Sequence, residues 1–123
     1  MRILIRAIVI SVWATCLIAM PKIAEAQPTF TKVFSPDTIG PGSASTLTFT
    51  ITNGSGTPIT DLAFTDVLPT SPGDVDIIGN DATHTCGTGS LTAADGGGTI
   101  TFSDGQVAPN SSCTITVEVT AST

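Results

Sequence analysis

The chain has 123 residues, 11% of them charged, and a net charge of −6. With four Lys and Arg in all, it has too few cations to neutralise a phosphate backbone, which excludes a nucleic-acid-binding protein. The same shortage excludes attraction to an anionic membrane surface.

The first 26 residues read as a secretory leader. Arg2 and Arg6 make a basic start, Ala7 to Met20 is a predominantly apolar run broken only by Ser11 and Thr15, and Ala24-Glu25-Ala26 is a small-residue cleavage site. The apolar run is 14 residues long, short of the roughly 20 that a spanning helix needs. That weighs against a retained anchor, and Trp13 stands where a lipoprotein signal carries an aliphatic residue. Cleavage is expected between Ala26 and Gln27. The mature chain, 27–123, is then a single domain with nine acids against one base, Lys32, and a net charge of −8. No membrane insertion of that mature chain is expected, and the protein is expected in the medium or at the cell surface.

The mature chain shows no helical apolar spacing and strong period-2 alternation. Its expected strands, in order, are 30–34, 45–53, 62–68, 74–78, 83–86, 90–94, 99–103 and 113–120. The clearest are STLTFTITN, with Leu47, Phe49 and Ile51 on one face, and CTITVEVT, with Ile115, Val117 and Val119 on one face. Threonines take the opposite positions; the mature chain has 21 of them, and their branched carbon suits a pleated surface. Gly-, Pro-, Asn- and Asp-rich segments such as NGSGTP, LPTSPGD, ADGGG, SDG and APNSS separate the strands and are expected to turn the chain. Seven or eight short strands at this spacing predict an all-β antiparallel sandwich, with a closed barrel as the competing solution.

His84 and Cys86, in DATHTCGTG, raise the question of chemistry. Cys16 falls in the leader, which leaves Cys86 and Cys113 as the only cysteines of the mature chain. A pair in an exported protein is expected to oxidise to a disulfide. Closing a loop 27 residues apart is worth about 3.5 kcal/mol in the chain-entropy account. A structural zinc site needs four Cys/His ligands, and only three such residues exist in the mature chain. A thiol nucleophile would need a free thiolate, and no G-x-S-x-G elbow marks a serine nucleophile. No catalytic residue and no cofactor is therefore expected. Calcium is the stronger rival: seven of the nine acids lie between Asp61 and Asp104, and Asp74, Asp76 and Asp81 are the candidate ligands. Two N-x-S/T sites, at Asn53 and Asn110, are read as turn residues first.

The stretch FTKVFSPDTIGPGSASTLTFTITNGSGTPITDLAFTDVLP resembles bacterial extracellular conserved-repeat domains of unknown function with an Ig-like fold. Phe30, Lys32, Phe34, Ser35, Pro36, Ile39, Pro41 and Gly42 carry the first part of the pattern, followed by Ser45 to Asn53 and Leu62 to Pro69. The later half, with Cys86 and Cys113, fits the two-cysteine half of the same family. The resemblance implies an Ig-like β-sandwich that spaces, displays or adheres outside the cell, with no catalytic residues to carry over. Such domains usually occur in tandem, whereas this sequence holds one. Its partner is expected to be another extracellular protein or surface. The alternative reading is a calcium- or carbohydrate-binding module. The mature chain has no Tyr or Trp on which a sugar could stack.

Overall fold

The computed structural model describes residues 3–6 and 26–122, and these are all strand, turn or loop, with no helix. Eight strands follow one another in the domain: β2 (Thr29–Ser35), β3 (Ala44–Asn53), β4 (Ile59–Val67), β5 (Val75–Ile77), β6 (Thr83–His84), β7 (Ser90–Ala93), β8 (Thr99–Val107) and β9 (Ser111–Ala121). A further strand, β1 (Ile3–Arg6), belongs to the segment read as the leader and runs antiparallel along Ala63–Asp66 of β4. The apolar run of that segment lies outside the described residues. No helix among the described residues is long and apolar enough to cross a membrane.

The strands form two antiparallel sheets. One has the order β1-β4-β8-β7; the other has the order β2-β3-β9-β5, with β6 also paired to β9. The expected all-β architecture of eight short strands is what the domain adopts. Alternation explains the layering: Leu47, Phe49 and Ile51 of β3 meet Val117, Ile115 and Cys113 of β9 in register, and all six are buried. Leu62 and Phe64 of β4 and Ile100 and Phe102 of β8 close the core from the other sheet. Along the outer face of the second sheet, threonines stand opposite threonines: Thr31 with Thr50, Thr50 with Thr114, and Thr48 with Thr116. Such cross-strand pairs let an uncharged surface remain wet and ordered.

An aromatic seam runs through the core. Phe30, Phe49 and Phe64 have ring centroids 5.0–5.7 Å apart, and Phe102 continues the line at 5.9 Å from Phe64. These spacings fall in the favourable range for tilted and edge-on ring contacts.

One expected turn is not a turn. SDG was expected to end a strand at Ser103, yet β8 runs on to Val107 and pairs Gly105 with Leu62 and Val107 with Ile59. The register shifts here, with Asp61 and Asp104 both at positive φ (54° and 57°). This is a bulged ladder. Asp and Gly tolerate left-handed backbone in bulges as they do in turns, so residue type alone does not separate the two. Gly105 is needed for packing: a Cβ there would lie 2.2 Å from Phe102 Cε1. The same lengthening starts β4 at Ile59, three residues before the expected Leu62.

Candidate functional site

Two contacts define the surroundings of His84 and Cys86. Cys86 and Cys113 form a disulfide, joining β9 to the segment just after β6. Both cysteines are buried, as the shared parity of Cys113 with Ile115 and Val117 required. Only Thr83 and His84 of the expected THTC strand pair regularly with β9; Thr85 N–H still donates to Thr114 O at 2.9 Å, and Cys86 enters the core beside that edge. The His84 ring packs edge-on against Phe102 with centroids 5.0 Å apart. Its Nδ1 accepts the Cys86 N–H at 3.3 Å. The imidazole is thus a half-buried filler at the end of the aromatic seam, and the sulfur beside it is already bonded.

The candidate calcium ligands do not converge. Asp74 is exposed and uses its backbone oxygen to accept from Ser122, while Asp76 sits in β5 opposite Thr120. Asp81 is exposed near the Gly79 turn. Among the described residues no group of three or more His, Cys, Asp or Glu side chains is placed to hold a metal ion.

The loops differ in the same way. Asn53 is buried at 1% exposure and organises NGSGTP from inside. Its Nδ2 donates to Thr57 O at 2.7 Å and Ala108 O at 3.2 Å, and its Oδ1 accepts from Ser55 N and Oγ. This is an Asx-type turn in which the amide is spent inside the protein. Asn110, the other sequon asparagine, is exposed at φ 51° in the turn before β9. The ADGGG loop is held down as well: Gly96 N–H donates to Ile77 O, Ile77 N–H donates to Gly97 O, and Asp95 Oδ1 accepts from Gly79 N–H.

The most unusual polar constellation was not predicted. Lys32 of β2 and Asp66 of β4 both point inward, from opposite sheets, and Lys32 Nζ donates to Asp66 Oδ2. The two side chains are 8% and 0% exposed. The ammonium lies 5.1 Å from the Phe34 ring centroid and 5.5 Å from that of Phe49. Burial pulls the lysine below its ordinary pKa, more strongly than the Asp66 hydrogen bond and charge raise it. Asp66 Oδ1 is buried with no hydrogen-bond partner among the described residues. The signal in the sequence was parity: Lys32 falls between Phe30 and Phe34 on the inward face, and Asp66 follows Leu62 and Phe64 on theirs.

No protein of curated function matches the chain. Residues 28–123 match the model of DUF7933, a domain of unknown function, and this covers the whole β-domain with its disulfide and its Lys32–Asp66 pair. The chain belongs to the DUF7933 family.

Proposed function

We propose that this chain is an exported, non-enzymatic module, Ig-like in its sandwich, that serves a structural or adhesive role at the bacterial cell surface or in the medium. The observation that carries the reading is the buried Cys86–Cys113 disulfide in a chain that opens with a basic, apolar and small-residue leader pattern. Disulfides of this kind form and persist in oxidising compartments. The side chains best suited to chemistry support a scaffold: the thiols are bonded to each other, and the imidazole packs on Phe102. The outer face of threonines, with one lysine in the mature chain, gives trypsin-like proteases little to cut.

Two measurements test it. Bacteria producing the chain with a C-terminal epitope are fractionated into cytoplasm, envelope and medium. The epitope is expected in the envelope or the medium, and accumulation in the cytoplasm would contradict export. The processed protein, immobilised on beads, is then offered to cells and to surface extracts. Saturable retention supports adhesion; turnover of a hydrolytic substrate, lost on His84→Ala, would replace the reading with an enzyme.

A further inference from the structure

The Lys32–Asp66 pair poses an energetic problem that a salt bridge does not solve well. Removing two charges from water is costly, and the cost is recovered only when the remaining polar atoms are satisfied. Here Asp66 is wholly buried and its Oδ1 has no partner among the described residues. The neighbours of the ammonium include two aromatic rings. A buried unsatisfied oxygen in a native core calls for an explanation, and a chemical role is one of the few on offer.

We propose that Lys32 and Asp66 condense to an intramolecular isopeptide bond, Nζ to Cγ, that joins β2 of one sheet to β4 of the other. The geometry supplies the reactants in contact: the amine nitrogen sits against the carboxyl group, held there by two strands of opposite sheets. Effective molarities for groups so positioned reach about 10⁵–10⁸ M. An amine in an apolar pocket is also shifted toward its neutral, nucleophilic form, the direction in which burial moves Lys32.

The step balances without an outside reagent. A proton passes from the ammonium to Asp66, giving a neutral amine and a carboxylic acid. The Nζ lone pair attacks Cγ, and the carbonyl π pair moves onto oxygen. The tetrahedral adduct then expels its hydroxyl oxygen, which takes a proton from the nitrogen and leaves as water. One C–N bond forms and one C–O bond breaks; nothing is oxidised or reduced. The product has one carbonyl oxygen where the carboxylate had two, and no buried charge. The condensation thus removes the features that make the ion pair costly. The link closes the chain between positions 34 residues apart, a covalent tie between the sheets additional to the disulfide. It holds wherever the protein acts, so it stands apart from the proposal of export.

The test is peptide mapping of the full chain after denaturation, reduction and digestion. The expected result is a branched peptide in which the segment holding Lys32 is joined to the segment holding Asp66, lighter than the two together by one water. Lys32→Arg and Asp66→Ala should each give only linear peptides. Should either variant fail to fold, the fragment spectrum of the unaltered chain still decides, since it reads the bonded atoms directly. Recovery of both segments as separate peptides of unchanged mass would overturn the proposal. So would a branch from Lys32 to any other residue.

Discussion

Replacing Gly105 with alanine probes the aromatic seam at its tightest point. The added Cβ would sit 2.2 Å from Phe102 Cε1, 2.9 Å from Cζ and 3.2 Å from Leu62 Cβ. Carbon atoms at optimal contact stand about 3.5–4.0 Å apart, so the ring must retreat by more than about 1 Å. Its retreat is blocked. Gly89 lies against the same ring, where a Cβ would come within 2.2 Å of Cζ, and His84 and Phe64 occupy two further sides. Phe102 is 1% exposed, so it cannot swing into solvent without surrendering its burial. Gly105 is not among the glycines with positive φ, so the effect is packing and not backbone strain. The expected cost of Gly105→Ala is about 3 kcal/mol, the upper part of the overpacking range. For a domain of this size that lowers Tm by about 12–24 °C. Urea unfolding with the disulfide intact measures it, through the midpoint at unchanged slope. Phe102→Leu alone should cost about 1–2 kcal/mol for the lost ring volume. Combined with Gly105→Ala it should recover at least about 1 kcal/mol relative to additivity, because the leucine leaves room for the new methyl. Strict additivity, or a Gly105→Ala variant within about 0.5 kcal/mol of the parent, a surface-like change, would refute the clamp.

Four further outcomes follow from the same geometry. Asn53→Ala, which orphans the backbone oxygens its amide now satisfies, should destabilise by about 2–3 kcal/mol in urea unfolding. Asn110→Gly, exposed and at positive φ, should stay within about 0.5 kcal/mol of the parent. The double replacement Cys86→Ser with Cys113→Ser should lose about 3.5 kcal/mol, read as a shift of the unfolding midpoint. Calcium added to the folded protein should leave Tm unmoved in a thermal-shift titration, because Asp74, Asp76 and Asp81 do not gather around a common point. A bound ion at 100 times its Kd would contribute about 2.7 kcal/mol and raise Tm visibly.

The parts of the fold that local pattern controls were legible in advance. In β3 and β9 an apolar residue alternates with threonine over whole strands, so both the strands and their buried faces were plain, and the parity of Cys113 placed it in the core. The bulge at Asp61 and Asp104 was hidden because the residues that permit it are those that permit a turn; only the partner strand decides. The seat of His84 on Phe102 arises from two sheets meeting, which no local spacing encodes. Lys32 and Asp66 were hidden for that same reason. Each lies on the inward parity of its own strand, and their meeting depends on which strands face each other across the sandwich.

The proposed function rests on export of a sandwich stapled by one disulfide. The most direct measurement is the intact mass of the protein recovered from envelope or medium, alkylated before and after reduction. The expected protein begins at Gln27 and takes up no alkyl group before reduction and two after it, at Cys86 and Cys113. A mass that retains Met1 to Ala26, or thiols that react without reduction, would contradict the proposal.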